Sequence, residues 1–247
     1  MNRDQALDVI ARLRNNVKKV VYGRDELIDI VLTAMFSNGH VLTDDHRGSG
    51  VGLIASTLGY SIRDDLLEEG INIKNFARVN CAPELRIEDL IGEVTSTAAE
   101  IPGTIFHYIL FLDNFSNADQ LLKSRVIQAI SDNAVFFNGR NCPLGELFLV
   151  IASYHQSDGE IKPLRFSEID HFQFRYQVKW LDAATQREIL MDGKGAEKDI
   201  VTVREIIDAR KYIQGGAIKF GDDLIDGLSL LSQGIAESDK TQTNGGP

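Results

Sequence analysis

Apolar positions along this chain change period several times, and each change marks an element. Over residues 4–18 they fall at Ala6, Ile10, Leu13 and Val17, the spacing of one helix face. A second helix is predicted over 24–37, with Leu27, Ile30, Val31 and Ala34 on one face and Gly39 as its stop. A short apolar run, His40-Val41-Leu42-Thr43, then meets a polar, glycine-rich segment over 44–52, and a new helical run carries Leu53, Ile54 and Leu58. Strand, glycine-rich turn and helix in that order form the skeleton of a phosphate-binding loop.

Further strands are predicted over 75–80, 105–113, 146–153 and 173–178, with a helix over 120–131. Residues 134–141 read as a hairpin that turns at Asn138-Gly139. The unbroken apolar run from Tyr108 to Leu112 predicts a parallel strand buried on both faces. Alternating strands and helices make this an α/β three-layer domain. After Trp180 the pattern turns helical, over 183–191, 200–213 and 222–235, with no strand between. The predicted organisation is an α/β core over 1–180, the start of an all-helical second domain over 181–237, and a polar, mobile tail over 238–247.

Composition narrows the function classes. The chain has 247 residues, 43% hydrophobic and 25% charged, enough to bury a sizeable core without staples. Its two cysteines, Cys81 and Cys142, lack CxxC spacing, and the first sixteen residues read as a charged helix rather than a secretory signal. A cytoplasmic protein with no disulfide framework is expected. No apolar stretch reaches the ~18 residues a membrane span needs. A net charge of −10 disfavours generic nucleic-acid binding. The histidines supply no zinc-site spacing, so no metal ligands of that kind are expected. The acidic run over 64–69 and the pair Asp158 and Glu160 read as solvated faces.

Five segments in fixed order resemble the MoxR family of AAA+ ATPases. Val20-Val21-Tyr22-Gly23-Arg24-Asp25-Glu26-Leu27 is similar to the family's entry segment, which borders the adenine pocket, so Val21 and Gly23 are cofactor-binding candidates by resemblance. Gly39-His40-Val41-Leu42 resembles the strand that opens onto the Walker A loop. Pro102-Gly103-Thr104-Ile105-Phe106 looks like the segment before the Walker B strand. Phe148-Leu149-Val150-Ile151-Ala152 is similar to the sensor 1 strand, and Ile169-Asp170-His171-Phe172 to a segment in which the family places an arginine. The resemblance implies a P-loop NTPase core followed by a helical lid. It also implies a ring-forming motor, usually hexameric, built from copies of itself or from AAA+ paralogues. By family analogy such a motor works with von Willebrand factor A domain proteins to mature or remodel other complexes. In active relatives the lid continues past the last residue of this sequence and carries a second sensor arginine.

The residues that handle phosphate depart from this pattern. A phosphate-binding loop of the form G-x-x-x-x-G-K-[ST] needs glycines for close backbone approach, a lysine for the β and γ oxygens and a hydroxyl for magnesium. Aligned from the strand, the chain reads Asp45-His46-Arg47-Gly48-Ser49-Gly50-Val51-Gly52. Asp45 takes the first glycine position, Val51 the lysine and Gly52 the hydroxyl residue. Arg47 could supply a replacement cation, and Gly48, Ser49, Gly50 and Gly52 could still form an anion nest at a helix N-terminus. At the Walker B strand, Asp113 could support magnesium, but Asn114 stands where a glutamate would position water, and an amide cannot act as a carboxylate base. His155 falls at the sensor 1 asparagine and His171 at the arginine. ATP or ADP with magnesium is therefore expected to bind weakly, and no catalytic residue is assigned.

Three readings fit these residues: a degenerate AAA+ scaffold or regulatory subunit, an unconventional ATPase in which Arg47 replaces the lysine, and a dinucleotide-binding oxidoreductase. The last rests on Gly50-Val51-Gly52-Leu53-Ile54-Ala55, which satisfies G-x-G-x-x-[GA] without the surrounding strand and acidic residue that fold requires. The sequence favours the first.

Overall fold

The computed structural model describes residues 1–66, 75–82, 84–94, 100–154, 164–191 and 199–217. The helix predicted over 222–235, the tail over 238–247, His155, Glu68, Glu69, Asp158 and Glu160 lie outside the described residues.

Five strands form one parallel sheet: β1 (Val41–Asp44), β2 (Phe76–Asn80), β3 (Ile109–Asp113), β4 (Leu149–Tyr154) and β5 (Phe174–Gln177), in the spatial order β5-β1-β4-β3-β2. The strand period of two divides the central residues between two cores. Ile109, Phe111, Leu149 and Ile151 face one layer, whereas Leu110, Leu112, Val150 and Ala152 face the other. The first layer holds α1 (Arg3–Lys18), α2 (Asp25–Ser37) and α3 (Val51–Tyr60); the second holds α4 (Gln120–Asp132) and the hairpin of Ala134–Phe137 with Arg140–Pro143. This is the three-layer α/β arrangement expected from the sequence.

Local chemistry fixes the element ends. Asn2 caps α1, accepting from the Gln5 amide at 2.9 Å while the Gln5 side chain accepts from the Asn2 amide. At the hairpin, Asn138 and Gly139 both take positive φ, the backbone a two-residue turn needs. The stop of α2 differs from expectation. Asn38, at φ 59°, takes the left-handed position, and Gly39 follows it with its N–H on the Ala34 carbonyl. The helix ends at Ser37 as expected, but an asparagine tolerates the left-handed conformation well enough to supply the stop in place of Gly39. The strand expected over 105–113 is also shorter, because Thr104–Phe106 closes a 3-10 turn before it.

Beyond Trp180, α5 (Ala183–Met191) buries none of its side chains, whereas α6 (Val203–Tyr212) packs into the first core through Val203, Ile206, Ile207 and Ala209. The expectation of no strand in this region is corrected. Val201–Thr202 pairs in parallel with Ile62–Arg63, a two-residue ladder that periodicity cannot register. Buried Asn16 of α1 locks the same segment, donating to the Asp199 carbonyl at 2.7 Å and accepting from its amide at 2.9 Å.

The close approach of α3 to β2 depends on Gly59. A Cβ there would stand 2.4 Å from the Phe76 Cβ. Gly59→Ala is therefore expected to force the helix off the strand and to destabilise the fold by about 1–3 kcal/mol, the usual cost of overpacking. Chemical denaturation would measure it, and an unchanged midpoint would contradict the contact.

Candidate functional site

In an open parallel sheet, ligands bind outside the carboxyl ends of the strands. Here the ends of β1, β4 and β3 lie side by side, with Asp44 in register with Tyr154 and Leu112 with Ala152. Over them opens a cavity of about 380 Å³ lined by the turn after β1, by Leu53 of α3, and by Arg78, Phe111, Asp113 and Asn114. The strand order separates β1 from β2 by two strands. A dinucleotide-binding unit sets those consecutive strands side by side, so the topology does not support the oxidoreductase reading.

The turn is shaped by glycines and filled by its own side chains. Gly48 and Gly50 take φ of 80° and 90°, which lets the backbone double back before α3. Ser49 is buried, donating through Oγ to the Asp45 carboxylate at 2.6 Å and accepting from the Val51 amide at 3.4 Å. An N–H that a phosphate would use in an anion nest thus meets a serine hydroxyl. Beneath the turn, buried Arg24 donates from Nε to the Ser49 carbonyl at 2.9 Å and from Nη1 to the Lys179 carbonyl at 2.5 Å. Burial lowers the Arg24 pKa from its ordinary value, while nearby Tyr176 and Asp45 act in the opposite direction. His46 stacks on Trp180, with ring centroids 3.6 Å apart.

The sequence candidates divide into two groups. Arg47, Gly48, Ser49, Gly50, Gly52, Asp113 and Asn114 come together on the cavity wall. Val51 does not. It is the first residue of α3, 1% exposed, and its side chain lies in the apolar core. Val21 is buried in the same core, and Gly23 sits beneath Leu181 and Thr185, where a Cβ would meet the Thr185 Cγ2 at 2.7 Å. His171 stands apart, its Nδ1 3.0 Å from the Ser131 hydroxyl at the end of α4. His155, the sensor 1 candidate, lies outside the described residues.

Three residues that sequence reasoning missed decide the chemistry. Arg78, on β2, forms an ion pair through Nη2 with Asp113 Oδ2 and lies over the Phe111 ring at 5.7 Å. Ser153 donates to Asp113 Oδ1 at 3.3 Å and accepts from the Asn114 amide at 3.2 Å. Phe111 occupies the space beside Gly52, where an added Cβ would come within 3.0 Å of its ring. The residues present therefore fit magnesium poorly. Both oxygens of Asp113 have partners, Gly52 offers no hydroxyl, and an aromatic ring lies where such a hydroxyl would project. Arg78 could be recognised only with the strand order known, because pairing of β2 with β3 sets Arg78 against Phe111 and Asn80 against Asp113.

A parallel β5-β1-β4-β3-β2 sheet with a glycine turn after β1 and a carboxylate ending β3 defines an AAA+ type of P-loop NTPase fold. The fold matches the crystal structure of a Cytophaga hutchinsonii protein provisionally designated an ATPase, with a TM-score of 0.71 at 21% identity, over 85% of this chain and 65% of that one. It also matches a full-length MCM homolog from Methanopyrus kandleri, with a TM-score of 0.62 at 12% identity, over 100% of this chain and 52% of that one. No family model matches the chain. In sequence it is similar to Chaperone MoxR1 of Mycobacterium tuberculosis, 26% identical over 183 residues, covering 70% of this chain and 45% of that protein. It is also 22% identical over 188 residues to YeaC, an uncharacterized protein of Bacillus subtilis, covering 74% of this chain and 56% of that protein. The chain thus spans about half the length of the curated relatives it matches. In fold it is similar to that ATPase structure, and in sequence to Chaperone MoxR1.

Proposed function

We propose that this MoxR-like module hydrolyses ATP poorly or not at all and serves as a scaffold or regulatory subunit in the chaperone-like assembly or maturation of protein complexes. Its partners would be copies of itself or active AAA+ paralogues in a ring, together with a von Willebrand factor A domain protein, in the cytoplasm. The observation that carries the reading is the state of Asp113, whose carboxylate is held by Arg78 on one oxygen and by Ser153 on the other. The charges support it as well. On the cavity wall the Arg78 charge is already met by Asp113, which leaves little of the excess positive charge that a triphosphate calls for. Asn114 adds an amide in place of a base, and a positioned general base alone contributes about 10²–10⁴ in rate. Among the described residues no helix is long and apolar enough to cross a membrane.

The test is steady-state ATP turnover with magnesium, run beside an active AAA+ ATPase. The expected rate lies at least about a hundredfold below that enzyme. A comparable rate, abolished by Asp113→Ala, would refute the reading. A second reading keeps ATP hydrolysis and assigns the lysine's task to Arg47, which does line the cavity. Calorimetric titration of ATP with magnesium separates the two: tight binding lost in Arg47→Ala favours the second, and absent binding ends it.

A further inference from the structure

We propose that the cavity over β1, β3 and β4 is a metal-independent site for a phosphate-bearing anion of the nucleoside diphosphate class, in which the Arg78 guanidinium takes the place of a divalent cation. The inference rests on the reading that hydrolysis is lost, and it says what the altered pocket still does.

The poor fit for magnesium is the starting point. In a P-loop site the metal joins the carboxylate that ends the Walker B strand, the loop hydroxyl and the phosphate oxygens. Here a cation already meets that carboxylate, and it belongs to the protein. Arg78 reaches Asp113 through Nη2 and lies over the Phe111 ring, and a guanidinium has further N–H donors in a rigid planar fork. Arg78 lines the cavity and is 61% exposed, so those donors are open to a ligand from solvent. Planar, multidentate N–H donors suit phosphate oxygens, and unlike a lysine ammonium they can serve Asp113 and a ligand together.

Two further features make the cavity hospitable to an anion despite Asp45. The Asp45 carboxylate is buried and takes a hydrogen bond from Ser49 Oγ, and buried Arg24 lies close enough to act on it electrostatically. Asp45 therefore faces the protein more than the cavity. Arg47 also lines the cavity, at the turn before α3, whose amino end favours negative charge. A cavity of about 380 Å³ accommodates a diphosphate group, whose smaller charge asks less of the cations on this wall than a triphosphate's would.

The experiment is calorimetric titration of the full chain with ADP and, separately, with inorganic pyrophosphate, each in excess magnesium and in EDTA. ATP turnover is measured on the same preparations. Trp180, the single tryptophan, is stacked on His46 at the cavity turn and provides a second readout through its emission. The expected result is saturable binding of at least one probe, with affinities in magnesium and EDTA equal to within about twofold. Arg78→Ala is expected to weaken binding in EDTA by about tenfold or more, the loss of a charge-assisted hydrogen bond. Because it also frees Asp113, it should make binding magnesium-dependent, a reversal that a merely structural arginine would not produce. Arg78 is exposed, and an unchanged melting temperature would show that the variant folds.

Three results overturn the inference: no binding of either probe, affinity about tenfold or more higher with magnesium in the unmodified protein, or binding indifferent to Arg78→Ala. Absent binding with absent turnover removes this inference and leaves the scaffold reading in place. Magnesium-dependent binding accompanied by turnover removes both.

Discussion

Restoring the missing lysine with Val51→Lys is expected to destabilise the protein severely and to confer no ATP turnover. In an active loop the lysine opens the helix and reaches the phosphates. In this chain residue 51 also opens the helix, but its side chain is 1% exposed and packs in the core shared by α1, α2 and α3. An ammonium placed in that apolar core loses its hydration, at a cost of about 3–5 kcal/mol. For a chain of this size that amounts to roughly 10 °C or more in melting temperature, readable by circular dichroism. Val51→Met, which keeps an apolar side chain, should cost less than about 1.5 kcal/mol. A Val51→Lys protein with unchanged melting temperature and new ATP binding would show that the side chain can turn into the cavity.

That contrast explains why the site was only partly legible in the sequence. Periodicity located all five sheet strands, α1 to α4 and the Asn138-Gly139 hairpin, because each buries a regular stripe or obeys a local turn rule. The cavity lining around the turn was legible for the same reason: Gly48, Gly50 and Gly52 follow one another in the chain. Alignment read Val51 as a gap in the phosphate site, but it cannot say which way a side chain points. The interactions that close the site are non-local. Arg78 meets Asp113 only because β2 pairs with β3, and Ser153 meets it only because β4 lies beside them. Gly52 read as a lost hydroxyl, yet its lack of a side chain is what admits the Phe111 ring. The Val201–Thr202 ladder escaped because two residues cannot display a period.

The second large effect concerns pH and lies far from the cavity. His40, just before β1, is 4% exposed, and its Nδ1 accepts the Val150 amide at 3.0 Å, which assigns the ring proton to Nε2. Burial lowers its pKa from 6.5 to about 4, and the charge of Arg210 adds to the shift. Arg210 is itself buried, donating to the Met35 carbonyl at the end of α2 and to the Glu146 carbonyl; its own pKa falls to about 10 through burial. The folded state therefore refuses a proton that the unfolded state accepts. The stabilisation from neutral His40 is complete above pH 6.5, declines as pH falls towards 4, and reaches a total loss of about 3 kcal/mol. Urea denaturation at pH 7 and at pH 4.5 should reveal most of that loss, superimposed on the titration of the carboxylates. In His40→Gln, whose amide oxygen can still accept from Val150, the loss between the two pH values should shrink by about 2–3 kcal/mol even though the starting stability is lower. Arg210→Met should shrink it too, by raising the His40 pKa, while costing stability at every pH because the Met35 and Glu146 carbonyls lose their donor. If the His40 ring titrates near 6.5 in the folded protein by NMR, the apolar seat inferred for it is wrong.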